Sequence, residues 1–587
     1  MHEEVMIGLW RINMQHKSDI NRLIKVIKCA KGEIPADLVL KNCLIVNVFT
    51  GKLQKGDIAI SNGIIAGISD GYKGVEEKDL DGFYVLPGFI DAHMHIESSM
   101  LTPLRLSESV ISHGTTCIIS DPHEIANVLG KDGINFMISN ASDSLIDFFF
   151  MLPSCVPATP FETSGAYMEA EDLMQFLENP YILGLAEMMN YPGVLTCDKS
   201  VLEKILLFKD ILIDGHCPGL RAKELQAYIA ANIRSDHESI DPEEGLEKIE
   251  NGMFLMIREG STAKNMESLL SIIDDRNFHR CAFVSDDLHP EDIYDKGHMN
   301  FILRKAVSFG LNPIKAIQMA TINPATYFGM KDRGAIAPGK IADIVVVNNI
   351  NDFNVMQVYK NGIEIKALRM NSITNVDSNI TNTINIKKFF KEDLKINYKK
   401  GKVRVIEIIP DQIVNRMIVL EPACKNGEVI SDTKRDILKI CVIERHKGLG
   451  NIGLGLVKGF GIKKGAIASS ISHDSHNIIA VGVDNSDIYR AILEIEDMGG
   501  GIAISCNDEI IAKVRLEIAG LMTNRPLTDL IKEIKKLNMA IKELKCNVKN
   551  PFMILSFLAL AVIPELRITD KGLVDVNKFQ FVPLFLD

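Results

Sequence analysis

Between residues 37 and 69 the chain alternates short apolar runs with turns. The runs are Asp37-Leu-Val-Leu, Cys43-Leu-Ile-Val, Asp57-Ile-Ala-Ile and Ile64-Ile-Ala-Gly-Ile, with Asn62-Gly63 between the last two. Such runs predict strands, and Asn-Gly between two of them predicts a hairpin. A matching strand returns within Gly334–Val347 as Ile341-Ala-Asp-Ile-Val-Val-Val. The two segments flank the middle of the chain. They predict one small β-sandwich built from both sides of an inserted domain.

The middle of the chain, roughly 87–330, carries eight strand-like runs separated by helix-length segments. They are Gly88–Ile96, Thr115–Ser120, Leu145–Leu152, Ile182–Met188, Ile211–Gly215, Asn232–Asp236, Met253–Ile257 and Cys281–Ser285. Near-continuous apolar strands alternating with helices predict a parallel sheet. Eight such units predict an α/β fold of the (β/α)8, TIM-like kind, whose chemistry gathers at the C-terminal ends of the strands.

The predicted organisation has five parts. Residues 1–34 form an N-terminal extension. Residues 35–86 and 331–366 form the small β-sandwich, and 87–330 the barrel. Residues 367–400, rich in Asn, Ser, Thr and Lys, read as a linker, and 401–587 as a C-terminal α/β domain. Gly448-Leu-Gly450 and Gly453-Leu-Gly455 read as turns, because no Gly-Lys-Ser/Thr follows to make a phosphate loop.

Composition narrows the function classes. The 587-residue chain has room for several cores. Its net charge is −11 and it shows no basic cluster, so no nucleic-acid partner is expected. Eleven scattered cysteines with no Cys-x-x-Cys predict reduced thiols and a cytoplasmic location. The first 34 residues lack an apolar signal core. The most apolar run, Pro551 to Pro564, is too short to span a bilayer and reads as a buried helix, so no membrane partner is expected.

Candidate chemistry lies just after the predicted strands. The first ends in His93 and His95, whose i, i+2 spacing lets both imidazoles face one side. The fourth ends in Glu187, the fifth in His216, the sixth in His237 and the eighth in Asp286. Four histidines and two carboxylates on one rim suit two divalent ions, with one carboxylate bridging them. Such a pair can hold a hydroxide whose parent water has lost its proton near neutral pH. Imidazole and carboxylate ligands admit Mn, Fe or Zn.

The order His-x-His, acidic residue, His, His, Asp resembles the amidohydrolase superfamily. Within it the chain resembles the bacterial and archaeal adenine deaminases. The stretches that carry the likeness are Pro87-Gly-Phe-Ile-Asp-Ala-His-Met-His-Ile-Glu-Ser-Ser-Met100, Asp121-Pro-His-Glu124, Ala186-Glu-Met-Met-Asn190 and Asp214-Gly-His-Cys-Pro-Gly219. Ser235-Asp-His-Glu238, Ile257-Arg-Glu-Gly-Ser261, Val284-Ser-Asp-Asp287 and Ser472-His-Asp-Ser-His476 add to it. The resemblance covers about residues 35–587. It implies that His93, His95 and Asp286 bind one ion, that His216 and His237 bind the other, and that Glu187 bridges. It also implies hydrolysis of adenine to hypoxanthine and ammonia in purine salvage, with Mn or Fe favoured, and a homo-oligomer. Another aminopurine or an amide is the alternative substrate.

Glu187 and Asp286 are the expected catalytic carboxylates, with Asp286 moving the proton from the attacking hydroxide to the leaving side. Glu97, Asp121, His123 and Glu124 follow the first two strands, where a small-molecule purine could be read by hydrogen bonds. Arg258 and Glu259 follow the seventh and could hold substrate or pair with each other. His473, Asp474 and His476 could reach over the mouth of the barrel or bind a further ion.

Overall fold

A computed structural model describes residues 19–367, 378–410 and 412–586. The expected N-terminal extension falls largely on residues 1–18, outside that set; residues 19–30 are helical.

The centre is a curled parallel sheet. Its strands are β1 (Phe89–Met94), β2 (Thr115–Ser120), β3 (Asp147–Leu152), β4 (Ile182–Met188), β5 (Leu212–Gly215), β6 (Ser235–Asp236), β7 (Phe254–Arg258) and β8 (Cys281–Val284). β1 to β5 pair in sequence as one five-stranded sheet, and β6 to β8 as a three-stranded one. The two pieces meet at both ends. The Asp286 N–H donates to the His93 carbonyl at 3.0 Å and the His95 N–H to the Asp286 carbonyl at 3.3 Å. On the far side the Arg234 N–H donates to the Ile213 carbonyl at 3.0 Å. β6 is shorter than the expected Asn232–Asp236, because Asn232 adopts a φ of 72° that extended backbone cannot take.

Small and branched apolar side chains fill the inside of this sheet. Ile90, Ala92, Cys117, Ile119, Met151, Ala186, Met256, Ala282 and Val284 form one buried cluster. Helices that return between strands are capped by the residues expected to cap them. Asp198 accepts from Ser200 N and Val201 N ahead of Lys199–Leu207, and Asp241 accepts from Glu243 N and Glu244 N ahead of Pro242–Glu250.

The two flanks are hydrogen-bonded to one another. Ile344–Val347 pairs antiparallel with Tyr84–Pro87, which pairs parallel with Ala36–Asn47. These strands make one branched eight-stranded sheet. The branch arises in Ala36–Asn47, whose register shifts between Leu40 and Cys43, so that it pairs with Gly74–Asp79 before the shift and with Tyr84–Pro87 after it.

Beyond residue 400, strands between Val403 and Arg515 build a second eight-stranded sheet, with the helix Asn485–Met498 packed on it. Gly453 and Gly455 lie in the strand Ile452–Lys458 rather than in a turn. A side chain at Gly453 would collide with the Thr569 carbonyl, so close strand packing explains that glycine. Part of the expected linker is also packed. Phe389 and Leu394 are buried against Cys441 and Ile488, while residues 368–377 lie outside the described set. Pro551–Phe557 is a short, largely buried helix, and among the described residues no helix is long and apolar enough to cross a membrane.

Candidate metal centre

β1 ends with a register shift against β2 between Asp91 and Met94. The shift falls where the inward positions Ile90 and Ala92 give way to His93 and His95, and a bulge of this kind re-aims side chains. Both imidazoles end up buried with their Nε2 atoms 3.2 Å apart. The His95 Nδ1–H donates to the Asp121 carbonyl at 3.1 Å. A carbonyl only accepts, so this bond keeps a proton on Nδ1 and turns Nε2 inward.

Glu187, at the end of β4, stands between the two histidine pairs. Its Oε1 lies 3.2 Å from His95 Nε2 and 3.9 Å from His93 Nε2. Its Oε2 lies 2.5 Å from His216 Nδ1 and 3.1 Å from His237 Nε2. Asp286 Oδ1 completes the first group, 3.1 Å from His95 Nε2 and 3.7 Å from His93 Nε2. The six residues predicted from strand ends are therefore brought together. All are buried except His216, whose side chain is 25% exposed.

The donor set has the chemistry of a divalent-cation site. Four imidazoles and two carboxylates converge with ligand atoms close enough to share ions. The carboxylates demand positive charge. Burial would depress His95, yet Asp286 and Glu187 hold it well above the usual histidine range. Burial would likewise raise Glu187 and Asp286, but His216 and His237 hold Glu187, and Arg258 and His95 hold Asp286, well below the usual carboxylate range.

Surrounding groups hold these ligands in place. Arg258 Nη1 contacts Asp286 Oδ2 at 2.6 Å and also pairs with Glu238, whose carboxylate reaches within 3.5 Å of His237 Nε2. Asn265 Nδ2 donates to the His237 carbonyl at 3.0 Å. Beneath His237, the fully buried Lys248 donates to Asp236 Oδ2 at 2.9 Å, to Glu244 Oε1 at 2.6 Å and to the Cys217 carbonyl at 2.8 Å. The Cys217 N–H donates to Asp236 Oδ1 at 2.9 Å, which ties the loops after β5 and β6 together.

The expected substrate contacts divide. Asp121 and His123 join the centre: His123 Nδ1 lies 3.0 Å from Asp121 Oδ2 and 3.7 Å from Glu187 Oε1. Glu97 is buried beside them. Its Oε1 accepts from Ile125 N at 3.0 Å, Oε2 has no partner, and burial with Glu124 nearby pushes its carboxyl up to about 7. Glu124 has both oxygens occupied, Oε1 by His473 Nδ1 at 2.6 Å and Oε2 by His476 Nε2. Arg258 faces the centre but not as a partner of Glu259. Successive strand residues point to opposite sides, and Glu259 pairs with Lys305 at 2.5 Å and Lys264 at 3.7 Å, away from the histidine cluster.

Sequence reasoning missed Glu238 and Lys248 as supports. The stretch Ser235-Asp-His-Glu238 was legible as a motif, but which acid would meet Arg258 was not.

The comparisons decide the family. The Amidohydrolase family model matches residues 84–365 and the Adenine deaminase C-terminal domain model matches 412–580. An adenine deaminase of Desulfatibacillum aliphaticivorans is 49% identical over 566 residues, covering 96% of this chain and 99% of that protein. The chain belongs to the adenine deaminase family. Adenine deaminase 2 of Carboxydothermus hydrogenoformans is 44% identical, and the adenine deaminase of Kosmotoga olearia 42%, each over 96% of this chain and 99% of its relative. The amidohydrolase family is metal-dependent, and this adenine deaminase family member has buried residue clusters suited to metal.

Proposed function

We propose that the chain hydrolyses adenine to hypoxanthine and ammonia at a binuclear centre held by the six strand-end residues. The observation that carries this reading is Glu187, whose two oxygens are divided between the His93–His95 pair and the His216–His237 pair. A carboxylate so placed can serve two ions at once.

His93, His95 and Asp286 would hold one ion, His216 and His237 the other, and Glu187 both, with Mn or Fe favoured. When bound, the ions supply a water acidic enough to act as a nucleophile near pH 7 and offset charge that develops on the substrate. Asp286 then has the proton work. Its carboxylate takes a proton from the attacking water and delivers it to the purine ring nitrogen or the departing amine, since an amine leaves poorly unless protonated. Arg258 favours the ionised form of Asp286 and fixes its orientation. Glu97, Asp121 and His123 line the approach from the first two strands and offer acceptors and a donor to a neutral purine.

The eight parallel strands are proposed to form a (β/α)8 barrel over 87–330. The strands from 35–86 and 331–366 form the small flanking domain, and 401–587 the C-terminal one. A role in purine salvage, a cytoplasmic location and a homo-oligomeric state belong to the same proposal. The test is ammonia release from adenine, other aminopurines and simple amides by metal-loaded protein. Adenine should be preferred, and a faster amide or other aminopurine would replace this reading with another hydrolase.

A further inference from the structure

A chain of close polar contacts leads from the metal centre into the C-terminal region. Glu187 Oε1 lies 3.7 Å from His123 Nδ1, and His123 Nε2 lies 3.6 Å from Glu124 Oε1. Glu124 is then gripped by His473 and His476 from the segment after residue 470. His476 Nδ1 accepts from Ser472 N at 3.2 Å, so its Nε2 is the nitrogen that donates to Glu124. Two more bonds pin the same segment: the His473 N–H donates to Ser556 Oγ at 3.1 Å, and Asn477 Nδ2 donates to the Thr163 carbonyl at 2.8 Å. The segment is thus a fixed wall of the site rather than a remote domain contact.

Within this wall the Ser472 hydroxyl and one oxygen of Asp474 are left without partners, and of the two Asp474 carries the acidic group. Asp474 sits between the two histidines in sequence, is 3% exposed, and its Oδ2 has no hydrogen-bond partner. Buried polar atoms are almost always paired, so an unpaired one calls for a ligand. The histidines on either side of it close on Glu124, whose Oε1 lies 3.6 Å from His123 Nε2, so the stretch that carries Asp474 stands against the metal centre. Glu124 already bonds through both its oxygens, whereas Asp474 Oδ2 has no partner.

We infer that Asp474 is a substrate-contacting residue, supplied by the C-terminal region, whose free oxygen accepts a ring N–H on the imidazole edge of the purine. This rests on the adenine reading above. A neutral purine offers that edge one N–H, and the acceptor it meets is a carboxylate oxygen shielded from water. Replacing the N–H by N–CH3 removes the donor and places a methyl group against the acid. The contact would therefore distinguish a free base from an N-substituted one.

The experiment uses the metal-loaded full chain and product inhibition, since products are not turned over. Inhibition constants are measured for hypoxanthine, 7-methylhypoxanthine and 9-methylhypoxanthine in wild type, Asp474→Leu and Asp474→Asn. Wild type should lose about 100-fold in affinity for one of the methylated products, as expected of a site built around a hydrogen bond. In Asp474→Leu, close in shape but without an acceptor, that gap should collapse through loss of hypoxanthine affinity, with metal content unchanged. Asp474→Asn keeps one acceptor oxygen and should retain part of the gap. A gap that survives in Asp474→Leu, an equal loss for all three products, or loss of one bound ion from the variant would each overturn the inference. Failure of the wild type to release ammonia from adenine would instead strike the adenine reading itself.

Discussion

Arg258 Nη1 lies 2.6 Å from Asp286 Oδ2, while Asp286 Oδ1 faces His95 Nε2 at 3.1 Å. One carboxylate is thus shared between a fixed guanidinium and the clustered histidines. The arginine holds the acid ionised and sets which oxygen turns inward. In Arg258→Met, Asp286 and Glu238 would both lose their buried cation. Turnover should fall about 10- to 100-fold, the usual cost of removing a group that orients a metal ligand. The proton affinity of Asp286 should rise, so the acidic limb of kcat should move to higher pH. A pH–rate profile of the metal-loaded variant measures both, and an unmoved limb would show that Arg258 does not tune Asp286.

Asp286→Asn tests the acid directly. The substitution keeps the volume and removes the base. Turnover should drop by about 10²-fold or more, the typical worth of a positioned proton-transfer group, while much of the metal remains. Steady-state kinetics beside metal analysis give the answer, and near-normal turnover would remove Asp286 from the proton path.

Lys248 should matter for stability as much as for the site. It is fully buried and neutralises Asp236, the neighbour of His237. Lys248→Met leaves Asp236 and Glu244 as uncompensated buried acids. Loss of one partner from a buried ion pair typically costs about 3–5 kcal/mol. Urea unfolding of variant and wild type should show that loss, and a change below about 1 kcal/mol would mean the acids find other partners.

Adenosine should be a far poorer substrate than adenine. The wall formed by Glu97, His123 and the segment holding Asp474 is buried and polar, and a ribose on the purine would displace its contacts. Discrimination in kcat/KM should reach at least about 10³-fold, within the range for sites whose buried polar groups are left unpaired by the wrong substrate. Parallel ammonia assays under one metal loading measure it, and equal efficiencies would refute a free-base pocket.

How much of this could be read in the sequence depends on range. His93, His95 and Glu187 were legible because apolar strands run continuously into them and because strand ends are where such folds keep their chemistry. The flanking strands were legible by alternation, but the branch in Ala36–Asn47 was not, since a register shift leaves no hydrophobic signature. Arg258 and Glu259 looked like a pair because they are adjacent, yet an extended backbone turns neighbours apart. The grip of His476 on Glu124 joins residues 352 positions apart, and nothing local announces it. The stretch around Phe389 and Leu394 looked like linker because its composition is polar, while its few apolar residues are buried against the C-terminal sheet.

The most direct measurement is a metal titration of metal-free protein, following ammonia release from adenine as Mn or Fe is added. With Glu187 shared between two histidine pairs, activity should climb to a plateau at about two ions per chain. A plateau at one ion per chain would contradict the shared-carboxylate centre.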